Sequence, residues 1–114
     1  MGLEAATLGI MSTLHLSEAL AGGTDAGVAE GLICIVLFAA AAALARNAAQ
    51  ARRLAIAAIV FAILGFIVGL ASTIQQGEAI DIAYHVSVLP LLVATLLVLI
   101  GRPRQRAAAG HIRR

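Results

Sequence analysis

Charge is what this sequence has least of. Only 12% of its 114 residues are charged, about half the roughly 25% of an ordinary soluble domain. With 61% hydrophobic residues and a mean hydropathy of +1.00, too few polar side chains remain to cover a soluble globule. The chain is expected to dissolve in lipid. Cysteine occurs once, as Cys34. That excludes an intrachain disulfide and a metal site built on paired thiols, and it says nothing about redox compartment. Tryptophan and lysine are absent, and the only phenyl or phenol rings are those of Phe38, Phe61, Phe66 and Tyr84. There is no glycine-rich phosphate loop, no Gly-x-Ser-x-Gly and no His-Glu-x-x-His. No catalytic residue is therefore assigned, and an enzyme is not the expectation. A hydrolase built on a metal-bound water among the histidines would lack an assignable nucleophile and oxyanion donor.

What charge there is has a pattern. The net charge is +2, and all eight basic residues are arginines. Three of them, Arg46, Arg52 and Arg53, share one connection, and the other five lie in 102–114. Basic clusters beside apolar runs set membrane orientation. Nothing of a nucleic-acid-binding fold, and no aromatic interleaving, accompanies them, so nucleic acid is not an expected partner. The apolar runs predict a single all-α domain over 1–101, a four-transmembrane-helix up-down bundle with spans at about 3–21, 28–45, 54–74 and 80–100, each near the ~20 residues a membrane crossing needs. The short polar connections between them suit antiparallel neighbours. The positive-inside rule then puts the 46–53 connection, both termini and a basic tail over 102–114 on the cytoplasmic side of an inner (plasma) membrane, where the tail also suits anionic headgroups. A lysine-free composition rich in alanine and arginine fits a GC-rich bacterial genome.

The first apolar run is the irregular one. It contains Thr-Leu-His-Leu-Ser-Glu-Ala-Leu at 13–20 and Glu4 near its start, and a charged residue at a span's centre costs about 2.5–3.5 kcal/mol on insertion scales. Two other readings compete with a span. Ala19-Leu20-Ala21 resembles a signal-peptidase site, but the segment before it has no basic residue, carries Glu4 and is broken by His15. An amphipathic helix lying on the outer surface is the second. The span reading rests on a stripe. Glu4, Met11 and Glu18 recur every seven residues beside a row of Leu8, His15 and Gly22, and a polar stripe on a span must face protein or water rather than lipid.

Depth makes that stripe informative. At 1.5 Å per residue His15 lies about 10 Å inward from Gly22, and His85 about 7–8 Å inward from residue 80. First and last helices of an up-down bundle are normally neighbours, so the two imidazoles are expected at one level of the outer leaflet. Glu18 follows His15 at i+3, Asp81 precedes His85 at i−4, and Glu30 with Cys34 forms an i, i+4 pair at the outer end of the second helix. The expected first shell of a metal ion is His15, Glu18, Asp81 and His85, with Glu30 or Cys34 behind them. Imidazole and carboxylate suit Zn, Cu, Fe or Ni. His15 and His85 alone would supply both axial ligands of a haem b. On this reading the protein serves a membrane redox or metal-handling assembly.

Two other functions fit the same residues. Polar side chains pin membrane helices together at about 0.6 kcal/mol each, which would make the protein an accessory subunit of a larger complex. A carboxylate on the first of four short helices is similar to the small multidrug resistance transporters, and a proton-linked transporter or channel is the reading that similarity implies, with Glu18 as the exchanging group. Those transporters surround their glutamate with aromatic residues. Here rings are few and the arginine bias is one-sided, so membership is not assigned. Gly65 and Gly69, four apart, allow close helix approach, either within the chain or in a homo-oligomer. Tyr84 reads as an outer-interface aromatic. Pro90 removes a backbone donor and predicts a kink in the fourth helix.

Overall fold

The computed structural model describes residues 1–17 and 23–101. Among them there are four α-helices and no strand: α1 (Gly2–Leu16), α2 (Gly23–Ala45), α3 (Ala51–Gln76) and α4 (Ala79–Gly101). Three are long and apolar enough to cross a membrane, over Asp25–Ala45, Ala51–Gln76 and Ala79–Gly101. These run a few residues past the apolar runs, taking in Asp25, Arg52, Arg53, Gln75 and Gln76. The backbone continues to satisfy its own hydrogen bonds into the interface. The described part of α1 has 15 residues, about 22 Å of helix against a hydrocarbon core of about 30 Å. The remainder of the expected first span, 18–21, falls outside the described residues.

The helices form an antiparallel meander. α1 packs on α2, α2 on α3 and α3 on α4, whereas α1 and α4 meet only thinly. The closure expected between first and last helices is therefore made by side chains at two levels rather than by close backbones. At one level Thr95 Oγ1 donates to Glu4 Oε1 at 2.6 Å, and Glu4 also pairs with the Met1 amine. At the other, His15 faces Asp81.

Each helix turns one stripe inward at 3–4-residue spacing. On α1 this is Glu4, Ala5, Leu8, Ser12 and His15. Ser12, not Met11, occupies the inner row, and its hydroxyl donates to the carbonyl of Gly27 at 2.7 Å. Large apolar side chains such as Ile35, Phe38, Val68 and Leu97 face outward, as lipid requires. Small residues set the helix spacing, with Ala55, Ala58 and Ala62 buried on α3. A Cβ on Gly27 would lie 2.7 Å from Leu16 Cγ and 3.1 Å from its backbone nitrogen. The side chain can swing aside but the backbone cannot. Gly27→Ala is expected to cost about 1–3 kcal/mol of stability, measured by reversible unfolding in mixed micelles. Gly65→Ala should cost less, because its Cβ would meet only the tip of Ile33, at 2.7 Å.

The connections are short. α3 ends on Gly77, whose φ of 76° is the left-handed cap conformation, and its N–H donates to the Thr73 carbonyl at 3.0 Å. The α2–α3 turn places Asn47 and Gln50 at φ 49° and 64°. Arg52, read in the sequence only as an orientation signal, also caps α4. Its Nε and Nη2 donate to the carbonyls of Leu99 and Ile100 at 2.9 and 2.8 Å, satisfying two acceptors that a helix end leaves open. α4 runs through Pro90 as one helix.

Candidate metal centre

His15 ends the inner stripe of α1 and is fully buried (0% exposed). Its Nδ1 lies 2.6 Å from Oε2 of Glu30 on α2. A carboxylate only accepts, so Nδ1 carries the proton and the ring is held in one orientation. In the neutral imidazole Nε2 then presents a lone pair. It faces Oδ1 of Asp81, from the first turn of α4, at 3.8 Å. That is too long for a hydrogen bond, and neither atom has a hydrogen-bond partner although both are buried. Two buried acceptors thus face each other across a gap.

Asp81 is held on its other side. Oδ2 lies 2.9 Å from Thr73 Oγ1, which is equally 2.9 Å from the Gly69 carbonyl, so one hydroxyl proton serves two acceptors. The N-terminal turn of α4 is also where the helix dipole favours a carboxylate. His85, one turn further, donates from Nδ1 to the Asp81 carbonyl at 2.9 Å and lies 3.4 Å from Oδ1. Its Nε2 faces α3, where a Cβ on Gly69 would stand only 2.6 Å away; the glycine is what admits the ring. Phe66 packs beside it at 5.0 Å between ring centroids, and Tyr84 meets it edge-on at 5.2 Å.

The geometry thus brings together His15, Glu30, Asp81 and His85. One donor atom each from His15, Glu30 and Asp81 fall within 4.8 Å of one another. Glu30, placed behind the ligands by sequence, is the nearest partner of His15. Glu18 lies outside the described residues. The Cys34 thiol does not join the group, since it donates to the Ala5 carbonyl at 3.1 Å. Thr73 beside Asp81, and the Tyr84 ring edge-on to His85, are contacts that the sequence reading does not supply. Tyr84, an outer-interface aromatic by sequence, has its hydroxyl buried without a hydrogen-bond partner. The available signal for Thr73 was its position one turn after Gly69 on the small-residue face. Gly65 and Gly69 receive Ile33 and His85 of the same chain.

The cluster opens on a cleft of about 660 Å³ between α2 and α3, lined on its polar side by His15, Glu30, Thr73, Asp81 and His85. Chemically, the gap offers one oriented imidazole lone pair, from His15, and a carboxylate oxygen, with no sulfur; the second lone pair, on His85 Nε2, is turned towards Gly69. No protein-family model, curated protein or solved structure matches the chain.

Proposed function

We propose that this protein is a four-span inner-membrane protein, with both termini cytoplasmic, whose outer-leaflet His15–Glu30–Asp81 cluster binds a transition metal ion within a membrane redox or metal-handling assembly. The observation that carries this reading is the gap between His15 Nε2 and Asp81 Oδ1, 3.8 Å wide and without a hydrogen-bond partner on either side. Two metal bonds of about 2.0–2.2 Å fit that separation. Glu30 on the opposite ring nitrogen is the carboxylate–histidine–metal arrangement that fixes a ligand's tautomer and raises its basicity. With the thiol of Cys34 committed elsewhere, a nitrogen and oxygen donor set favours zinc or iron over Cu(I). His85 gives its Nδ1 proton to the Asp81 carbonyl and turns Nε2 towards Gly69, so the coordination would be completed by water or by Glu18 and not by His85.

A bare ion fits better than haem. The Asp81 carboxylate lies near both imidazoles, and His85 Nε2 is turned towards Gly69, so the two rings do not face a common porphyrin plane. The four-span reading is supported by the levels at which α1 meets its neighbours. Glu4 sits beside Thr95 and His15 beside Asp81, so α1 runs alongside most of α4. Orientation rests on the arginines.

A second reading, an accessory subunit that uses the cluster to pin helices, is favoured by the hydrogen bonds already made by Glu30, Asp81 and His85. Titration of the detergent-solubilised protein with Zn²⁺ or Fe²⁺ against a chromogenic chelator separates the two. The metal reading predicts one site, weakened about 10–100-fold in Glu30→Gln. A pin predicts no saturable site in either protein.

A further inference from the structure

An ion does not account for the cleft. Its volume of about 660 Å³ is that of a site for a small organic molecule, far more than one coordinated metal fills. The cleft is also graded along its length. From Gln76 at the outer end to Phe61 its α3 wall spans 16 residues, about 22 Å of helix. The outer part carries Asp25, Ser72, Thr73 and Gln76 together with the His15–Glu30–Asp81–His85 group, while the inner part is Ile33, Phe61, Leu64, Gly65 and Phe66. Among the described residues three carboxylates line it, and no arginine does. The Asp81 Oδ1, buried and without a hydrogen-bond partner, belongs to the same wall.

We infer that this cleft binds a lipophilic organic ammonium, an amphiphile with a protonated amine head and an apolar tail. The head donates to Asp81 Oδ1, in competition with a metal ion at the same atom, and offsets the excess of carboxylate. The tail lies between α2 and α3, against Phe61 and Leu64, and reaches the cleft laterally from the bilayer. A carboxylate or phosphate amphiphile meets three acidic groups and no arginine, and the Nδ1 protons of the two histidines in the wall are already given to Glu30 and to the Asp81 carbonyl. A neutral alcohol gains the apolar wall but leaves the acceptor without an ionic partner, and a buried ionised acceptor is where a charge-assisted bond is strongest. The inference needs the carboxylates and the open wall; it does not need a bound metal.

The test uses the full chain in nanodiscs and equilibrium dialysis of radiolabelled decylammonium, decanol and decanoate, with protein-free nanodiscs as the blank. Decylammonium should be retained saturably and the other two not. Asp81→Asn should weaken its retention about 10–100-fold, the equivalent of one charge-assisted hydrogen bond. Ser72→Trp, at an outward-facing position on the cleft wall, should block decylammonium while leaving the metal titration unchanged, and this second variant keeps the test decisive if Asp81→Asn fails to fold. Equal retention of all three probes, or retention unaffected by Ser72→Trp, would overturn the inference. Ammonium binding in a metal-free protein would sustain it while removing the metal reading; a metal site with no ammonium binding would do the reverse.

Discussion

His15→Leu should lower the unfolding free energy by about 3–5 kcal/mol, the range for breaking one side of a buried ionisable pair. The imidazole is fully buried and its Nδ1 is 2.6 Å from the Glu30 carboxylate. Without it, that carboxylate stays in the bundle with no hydrogen-bond donor. Neutral interhelical hydrogen bonds in membranes average only about 0.6 kcal/mol, so the size of the loss reports whether the pair is ionised. Adding Glu30→Leu should recover most of the stability, because replacing both buried partners with apolar groups is nearly neutral. Reversible unfolding of the four proteins of this cycle in mixed micelles gives the coupling directly. A loss below about 1 kcal/mol for His15→Leu would identify an ordinary neutral contact.

The largest functional effect is expected at Asp81. Asparagine preserves the shape and keeps an oxygen to face Thr73, so Asp81→Asn should fold with modest loss. It removes the anionic oxygen that faces His15 Nε2 across the gap. Metal affinity should fall beyond the roughly 10–100-fold that a second-shell change produces, and by more than in Glu30→Gln. The chelator competition titration measures both variants on one scale. If Asp81→Asn and Glu30→Gln weaken binding equally, Asp81 orients ligands instead of being one.

Much of this arrangement was legible in the sequence because membrane helices leave few alternatives. Apolar runs of fixed length give helices, and helix rise converts residue number into depth. Hence His15 and His85 were expected at one level, and both lie beside Asp81. The order of partners was not legible. By sequence Glu30 pairs only with Cys34, at i, i+4 on its own helix, whereas its contact with His15 crosses from α1 to α2 and depends on their rotation. That rotation is set by small residues: Ser12 reaches the Gly27 carbonyl, and Gly31 would place a Cβ only 3.0 Å from Ser12 Oγ. It turns Ser12 rather than Met11 inward and carries Cys34 towards Ala5. The heptad count of Glu4, Met11 and Glu18 could not fix the rotation, since the row of Leu8 and His15 lies only about 40° from it and the inner stripe is centred on that second row. Arg52 shows a similar limit. A positive charge near a membrane face is legible as orientation, but its bonds to the α4 carbonyls depend on two helix ends meeting across 47 residues of chain.

The measurement that bears most directly on the proposed metal site is the elemental content of the protein purified from membranes in mild detergent without chelator, read by mass spectrometry. Near-stoichiometric zinc, iron or another transition metal is expected in the native protein, and its loss in Asp81→Asn. A monodisperse native protein that carries no metal and takes up none on titration would contradict the metal reading and leave the cluster as a set of helix contacts.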